Sequence, residues 1–339
     1  MPNIITSHHF SQAKIVVHSQ RLCTVRTPAI LQKVYASNHT IQGKDDVFKH
    51  PARGYFFTNF MMQTYIGEPN VPAFSHVINN VRSFFLKRGF LEVHTQDRLS
   101  ILAACEDPTT VATYQYAGQV WPLPQTGQMW LEYELLTRPE VPGVFCVSTS
   151  YRQEPNPIPG RHKIIFPMFE FESKGTIEDL RTLECELLEH LGYGSRDSYK
   201  HLPYREAMQK YAAEEIGREE EKKICEDFGR ATFLEFFPEE TSPFWNMKRD
   251  GKGNACKIDV IMDGMETIGS AERGTDVKEM RDAFYTISDG GYAGKLFELF
   301  GKDRVEAELE AFLALPCFPR FGGGIGVTRL IQSMEKSGK

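Results

Sequence analysis

The chain has 339 residues, of which 41% are hydrophobic and 25% are charged, as expected for a globular protein with a substantial core. Its net charge of −6 excludes a broad basic surface for sequence-independent nucleic-acid binding, but it permits a local basic groove. The seven cysteines form no C-x-x-C pair, and no apolar run is long enough to span a membrane. We therefore expect a cytoplasmic protein with reduced thiols and without a cysteine zinc site.

The predicted elements begin with an N-terminal extension, residues 1–70, whose structure the pattern defines poorly. Short strands are indicated at 15–17 and 23–25, with a turn at 43–46. From residue 71 the pattern becomes regular, and residues 71–339 are predicted to form one larger domain.

Helices and strands follow in this larger domain without a βαβ rhythm. Apolar residues at helical spacing predict a helix that ends at 87–89 and another that begins at Thr176, with Asp179 as its capping partner. This order predicts an α+β fold with a central antiparallel sheet flanked by helices. Strands are predicted at 91–93, 144–147, 164–172 and 257–262, and helical stretches at 204–228, 304–315 and the end of 321–334.

The first residues that suggest chemistry follow the predicted strand 144–147 and continue onto the predicted strand 164–172. Arg152 and Glu154 are two positions apart, so they would lie on one face of a strand. Such a pair can bind the α-phosphate of ATP and the N6 amino group of adenine, while Phe166 on the returning strand can stack on the base. Alone, the pattern fits a cross-strand ion pair above an aromatic core residue equally well.

The second group is a pair of acids, Asp259 and Glu266, seven positions apart on successive predicted strands. Two carboxylates beside phosphate groups commonly hold Mg²⁺, which prefers carboxylate and phosphate oxygens. Two unrelated surface acids would give the same sequence pattern.

The third group is the glycine-rich run 322–329, G-G-G-I-G-V-T-R. Its four glycines would let the backbone approach a ligand closely, and Arg329 at the start of the following helix could reach a phosphate. The run is not a P-loop because it lacks the G-K-[ST] ending. A flexible loop before an amphipathic helix is the alternative.

In this order and spacing, the three groups resemble the signature motifs of class II aminoacyl-tRNA synthetases of the asparaginyl/aspartyl branch. The resemblance covers roughly residues 72–337 and implies a class II synthetase catalytic fold. It further implies an ATP-dependent adenylate-forming ligase that uses Mg²⁺ and forms a homodimer. By this resemblance Arg152 and Arg329 are catalytic, the ATP-binding residues are Arg152, Glu154, Arg161, His162, Phe166, Gly324, Gly326 and Arg329, and the metal ligands are Asp259 and Glu266.

The resemblance also implies an amino-acid pocket. Residues 126–132, T-G-Q-M-W-L-E, resemble the asparaginyl segment S-G-Q-L-x-x-E. In that segment Gln128 would lie by the α-amino end of the substrate and Glu132 by its side-chain amide, and Glu170 and Arg273 match two further pocket residues. A carboxylate accepts hydrogen bonds from an amide and repels a second carboxylate, so the pocket favours asparagine over aspartate.

Several positions depart from the family pattern. Leu131 stands where aspartyl enzymes and asparagine synthetase A carry a Lys, Gln96 stands where motif 1 ends in Pro, and Ile165 replaces an acidic residue. The extension is expected to be too short for the OB-fold anticodon-binding domain of this branch. We therefore expect tRNA to be a doubtful acceptor for the activated amino acid.

Four interpretations stay open at the level of sequence. The first is an enzyme that passes an aminoacyl-adenylate to an acceptor other than an anticodon-read tRNA. The second is a reduced asparagine–tRNA ligase. The third is an asparagine synthetase in which ammonia attacks an aspartyl-adenylate, against which Leu131 and Glu132 argue. The fourth is a silent synthetase-like regulatory protein, against which the retained arginines and acids argue.

Overall fold

A computed structural model of the protein describes residues 70–96, 98–102, 108–241, 243–336 and 338. The strands and turn predicted before residue 70 lie outside these ranges. Among the described helices, none is both long and apolar enough to cross a membrane.

The described helices and strands alternate irregularly along the chain. The helices are α1 Val71–Lys87, α2 Gln128–Thr137, α3 Ile177–His190, α4 Tyr204–Tyr211, α5 Arg218–Phe228, α6 Val277–Thr286, α7 Gly291–Phe300, α8 Lys302–Leu313 and α9 Val327–Lys336. The strands are β1 Leu91–Glu92, β2 Thr113–Tyr116, β3 Gln119–Pro122, β4 Gly143–Tyr151, β5 Ile165–Lys174, β6 Lys200–Pro203, β7 Ala231–Pro238, β8 Asn254–Met262, β9 Met265–Glu272 and β10 Arg320–Gly326.

Eight of these strands form one sheet in the order β1-β4-β5-β10-β9-β8-β7-β6, and β2 pairs with β3 in a separate hairpin. The central strands of the sheet are antiparallel, which confirms the α+β prediction. The two outermost pairs, β1 with β4 and β6 with β7, are parallel. A parallel pair requires a crossover, and α4 and α5 supply it between β6 and β7.

The predicted helical stretch 204–228 is two helices in the structure. Ala212 ends α4 in a left-handed conformation with φ of +50°. A new helix then begins at Arg218, and the backbone N–H of the preceding Gly217 donates to the Glu220 carboxylate at 3.3 Å. The predicted capping box of α3 is present, because the Thr176 backbone N–H donates to the Asp179 carboxylate at 2.9 Å.

One face of the sheet carries the larger core. Alternate residues of β4, β5 and β10 point to α1, α3 and α9, and among them Phe145, Phe169, Phe171 and Ile325 are completely buried. The residues between them point to the opposite face, where Glu170 and Glu172 of β5 lie beside Gly324 and Gly322 of β10. A side chain at Gly322 would collide with the Glu172 carboxylate, so glycine is required there. This second face carries the polar residues of the candidate site.

A β-bulge in β9 keeps two of these polar residues on the same face. Val260 and Ile261 of β8 are consecutive, but their partners in β9 are Ile268 and Glu266, so Thr267 is an extra residue. Side chains alternate along a strand, and an odd separation of seven would otherwise place Glu266 and Arg273 on opposite faces. The bulge restores both to the polar face.

Candidate active site

A cleft opens between the β4–β5 loop and the first turns of α9. It brings together the six predicted ATP-binding residues that carry side chains, although they come from two distant segments of the chain. The lining consists of Arg152, Glu154, Gly160, Arg161, His162, Lys163, Phe166, Met265, Thr328, Arg329 and Gln332.

Arg152 lies just beyond the end of β4, where its backbone N–H still pairs with the Ile164 carbonyl at 2.8 Å. Its guanidinium carbon lies 5.5 Å from the centre of the Phe166 ring. The Nε of Arg152 is buried and has no hydrogen-bond partner within the described ranges. Buried donors are normally paired, so this atom is available to an anionic ligand.

Arg161 and His162 have different electrostatic surroundings in the cleft. Arg161 donates to both carboxylate oxygens of Glu221 on α5, at 2.7 and 2.9 Å, and this hydrogen-bonded pair raises its pKa. Burial lowers the pKa of His162, and the neighbouring arginines add to the effect against the opposing charge of Glu154. His162 is therefore predominantly a neutral imidazole at neutral pH.

Arg329 is the third residue of α9, and its Nη1 donates to the backbone carbonyl of Glu266 at 2.7 Å. The two glycines predicted for ATP binding, Gly324 and Gly326, do not line the cleft among the described residues. An added Cβ at Gly324 would instead lie 2.7 Å from Met168, below the amino-acid pocket. The sequence analysis missed Lys163 and Gln332, yet Gln332 lies three positions after Arg329 and helical spacing could have indicated it.

The two predicted metal acids meet at the boundary of the cleft. A Cβ added to Gly269 would lie 3.0 Å from Glu266 Oε1 and 3.5 Å from Asp259 Oδ1, so both oxygens point to the same small space. Asp259 Oδ1 is buried and has no hydrogen-bond partner in the described part of the chain. Its second oxygen accepts from Lys257 at 2.7 Å. Two converging hard oxygens, one of them unpaired, fit a Mg²⁺ ion that completes its coordination with phosphate and water.

The charges around these acids act in opposite directions. Burial raises the pKa of Asp259 to about 7, against the lowering effect of Lys257. Burial also acts to raise the pKa of Glu266, but the positive charges of Arg329, Lys257 and Arg152 outweigh it and hold that pKa below its usual range. A divalent cation would favour the ionised form of both groups.

The predicted pocket residue Glu132 lies on α2 and is completely buried. Its Oε2 accepts from Arg320 at 2.7 and 3.1 Å, and its Oε1 accepts from Asn246 at 2.9 Å. The Nε of Arg273 is 3.6 Å from Oε1. Glu132 therefore faces the sheet and does not pair with Arg138, which bonds to Glu134.

Arg273 and Gln128 meet at a second buried acid, Glu172. Arg273 donates to Glu172 Oε1 through Nη2 at 2.7 Å and Nε at 3.1 Å, and Gln128 donates to the same oxygen at 2.9 Å. Glu172 Oε2 has no partner among the described residues. Burial raises the pKa of Glu172 to about 8, opposed by Arg273.

Glu170, the remaining predicted pocket residue, is also buried. Its carboxylate accepts from the Thr126 and Ser148 hydroxyls and from the Gly127 backbone N–H, the last at 3.0 Å. Leu131 is completely buried in an apolar cluster with Leu135, Val144 and Cys146 on the β4 side of α2.

The sequence analysis missed three residues of this pocket: Arg320, Asn246 and Glu172. Glu172 had a local signal, because it lies two positions after Glu170 and therefore on the same strand face. Arg320 lies directly before the glycine-rich run. Asn246 had no local signal, since its partner Glu132 is 114 residues away.

Residues 68–339 match the family of tRNA synthetases class II (D, K and N). The chain belongs to this family. As a class II synthetase it shares 26% identity over 300 residues with the aspartate–tRNA(Asp) ligase of Pyrococcus horikoshii, covering 77% of the chain and 63% of that relative. It shares 24% identity over 287 residues with the aspartate–tRNA(Asp/Asn) ligase of Methanopyrus kandleri, covering 76% and 62%. The chain thus spans less than two thirds of the length of these curated relatives.

Solved structures show the same class II synthetase fold. The asparaginyl-tRNA synthetase of Pyrococcus horikoshii, complexed with asparaginyl-adenylate, superposes with a TM-score of 0.63 at 21% identity and covers 85% of this chain and 70% of its own. The Entamoeba histolytica asparaginyl-tRNA synthetase gives 0.60 at 18% identity and covers 91% and 71%. These likenesses confirm the predicted fold class.

Proposed function

We propose that this class II synthetase uses ATP and Mg²⁺ to activate asparagine as an aminoacyl-adenylate with release of pyrophosphate, and then transfers the activated residue to an acceptor. The observation that carries the proposal is the arrangement on one sheet face. The cleft with Arg152, Phe166 and Arg329 adjoins the converging acids Asp259 and Glu266. The buried polar pocket around Glu172 lies on the same face.

In the proposed reaction the α-carboxylate of the amino acid attacks the α-phosphorus of ATP in line, and pyrophosphate leaves. No side-chain nucleophile is required, so the residues position the reactants and neutralise charge. Arg152, whose Nε lacks a partner within the described residues, would bind the α-phosphate, and Arg329 the γ-phosphate. Phe166 would stack on adenine and Glu154 would accept from its amino group. Asp259 and Glu266 would hold Mg²⁺, which neutralises the phosphates.

The pocket supports an amide side chain over a carboxylate. Arg273 uses Nε and Nη2 for Glu172, which leaves Nη1 as a donor to a substrate carbonyl. Glu132 places a buried carboxylate beside the pocket, which would repel the side-chain carboxylate of aspartate. Sites built on such hydrogen bonds reject a mismatched ligand strongly. Glu170 and Gln128 lie where they could bind the α-amino end.

Pyrophosphate exchange tests this proposal directly. Exchange is measured with asparagine, aspartate, glutamine and 2,3-diaminopropionate, and we expect asparagine to exceed aspartate in kcat/KM by about tenfold to a hundredfold, or roughly 1.4–3 kcal/mol. If aspartate is activated best, the asparagine assignment is wrong and an asparagine synthetase takes its place. Absence of exchange with every amino acid would remove the activating function itself.

The acceptor is tested by aminoacylation of tRNA with labelled asparagine over a range of salt concentrations. The net charge of −6 offers no generic attraction to a polyanion, so we propose weak, salt-sensitive tRNA binding and little charging. Efficient charging with tight binding at physiological salt would instead assign tRNA as the acceptor. The curated relatives named above are tRNA ligases, which makes this the first acceptor to examine.

A further inference from the structure

A buried hydrogen-bond chain links Arg320, Glu132 and Asn246 at the pocket. Arg320 donates twice to Glu132 Oε2, and Asn246 donates to Glu132 Oε1 at 2.9 Å. All three side chains have 0% exposure. Glu132 therefore accepts two hydrogen bonds on Oε2 and one on Oε1, and these bonds hold Arg320 and Asn246 in place.

The orientation of the Asn246 amide follows from this chain. An amide has one donor end and one acceptor end, and a carboxylate paired with a guanidinium offers only acceptors. The NH₂ of Asn246 must therefore face Glu132, and its Oδ1 must point away. The reverse orientation would place a carbonyl oxygen 2.9 Å from a carboxylate oxygen. Arg320 and Glu132 thus fix the direction of Asn246 Oδ1, although neither residue contacts that oxygen.

The Oδ1 of Asn246 is buried and has no hydrogen-bond partner among the described residues. Leaving a buried carbonyl oxygen unpaired costs about 1–3 kcal/mol, so such atoms are rare unless a ligand completes them. Asn246 adjoins Arg273 through Glu132, since the Arg273 Nε is 3.6 Å from the same carboxylate oxygen. The Asn246 amide and the Arg273 guanidinium therefore lie beside the same carboxylate oxygen of Glu132.

We propose that Asn246 is a specificity-determining residue whose Oδ1 accepts a hydrogen bond from the side-chain NH₂ of the substrate, and that Glu132 and Arg320 are positioning residues that orient it. The proposal rests on the proposed function for the identity of the substrate. It changes the role expected of Glu132, which acts through Asn246 and does not itself contact the amide. The substrate class it defines is an amino acid whose side chain ends in a carbonyl and an adjacent N–H donor.

The experiment compares asparagine with aspartate β-methyl ester, which keeps the side-chain carbonyl and is uncharged but has no N–H donor. Binding to the full chain is measured by calorimetry without ATP, and activation by pyrophosphate exchange. The native chain should prefer asparagine by about tenfold or more, because the ester leaves Asn246 Oδ1 unpaired. Asn246→Leu should reduce the preference to within about threefold, mainly by weakening asparagine.

Arg320→Lys tests the positioning role. A lysine keeps the charge but cannot make the two hydrogen bonds that the Arg320 guanidinium donates to Glu132, so Glu132 and Asn246 lose their fixed orientation. We expect the KM for asparagine to rise about tenfold, with kcat and the KM for the ester little changed. The matched control is Arg304→Lys. Arg304 donates to Glu308 at 3.0 Å elsewhere in the fold, so this substitution should leave both KM values unchanged.

The outcomes separate this inference from the proposed function. If the native chain activates asparagine but Asn246→Leu keeps the full preference over the ester, an internal water satisfies Oδ1 and the inference is wrong while the function stands. If no amino acid supports exchange but calorimetry shows the preference and its loss in the variant, the proposed function fails and the inference stands. A native chain that binds asparagine no better than the ester overturns the inference without any variant.

Discussion

The cleft and the pocket lie on one face of one sheet, yet they are built in opposite ways. In the cleft, Arg152 Nε has no partner among the described residues, and the Arg329 side chain is 28% exposed and lies 3.7 Å from the Glu266 carboxylate. In the pocket, Arg273 and Arg320 are at most 1% exposed and form close bonds to carboxylates. The difference suits a cleft whose ligand brings its own charge and a pocket that must distinguish ligands of similar size.

The same difference predicts where a lost side chain affects folding and where it affects chemistry. A buried ion pair that loses one partner leaves an uncompensated charge, whereas a partly exposed pair is screened by water. The pocket arginines Arg273 and Arg320 should therefore be structural as well as selective, while Arg152 and Arg329 of the cleft should be dispensable for the fold.

The largest expected effect is on stability in the pocket. Arg320→Met leaves the carboxylate of Glu132 without its guanidinium, and we expect the free energy of unfolding to fall by about 3–5 kcal/mol. Arg329→Met in the cleft should lower it by less than about 1 kcal/mol. Urea denaturation of both variants measures the contrast, and equal losses would show that the two regions do not differ in this way.

The next effect is on activation in the cleft. Arg152→Ala removes a donor aimed at developing charge and should slow pyrophosphate exchange by roughly a hundredfold to a thousandfold, about 2.7–4 kcal/mol. Its melting temperature should stay close to that of the native chain. Arg205→Ala, which removes an exposed arginine paired with Glu240, is the control and should leave exchange unchanged. Native-like exchange by Arg152→Ala would remove Arg152 from the site.

A pH dependence of stability should belong to the pocket. The pKa of Glu172 is raised to about 8 in the folded chain, so between its unfolded pKa near 4.5 and pH 8 the folded state holds the extra proton. Stability contributed by this group is present below pH 4.5 and declines as the pH rises towards 8. Glu172→Gln mimics the protonated acid, so its advantage over the native chain should grow by on the order of 2 kcal/mol between pH 5.5 and 8. A constant difference across that range would contradict the assignment.

The smallest expected effect is on the Mg²⁺ requirement, which depends on the two acids between the cleft and the pocket. In Gly269→Ala the new methyl group would enter the space between Asp259 and Glu266. We expect the Mg²⁺ concentration for half-maximal exchange to rise a few-fold, because the two oxygens can no longer converge freely. Gly294→Ala, where no other part of the described chain comes within 4 Å of the added group, should leave the Mg²⁺ requirement unchanged. Calorimetric titration of Mg²⁺ in the presence of ATP provides an independent reading.

Sequence reasoning succeeded where a local spacing carries the information. The acids on β8 and β9 and the capped start of α3 are visible within a few positions, whereas Arg152 and Glu154, predicted on a strand, lie beyond the end of β4. The absence of a βαβ rhythm predicted the antiparallel centre of the sheet. The parallel outer pairs were not visible, because pairing partners at the edges depend on how the chain crosses over.

The rest of the pocket depends on contacts across the chain. Arg320 and Glu132 are 188 positions apart, and no periodicity joins them. The break at Ala212 was equally hidden, since a left-handed alanine has no sequence signature of its own. Motif residues were predicted by the pattern that contains them, while their buried partners required the fold.

The extra residue Thr267 also determines which insertions and deletions the β8–β9 hairpin can accept. Deleting it would rotate every later position of β9 to the other side of the sheet, so Arg273 would enter the helix-packed core and Glu272 would enter the pocket. A change of two residues would preserve the alternation, whereas a change of one would not. The number of residues in β9 therefore determines which side chains face the pocket, and length variation in this segment should occur in steps of two residues.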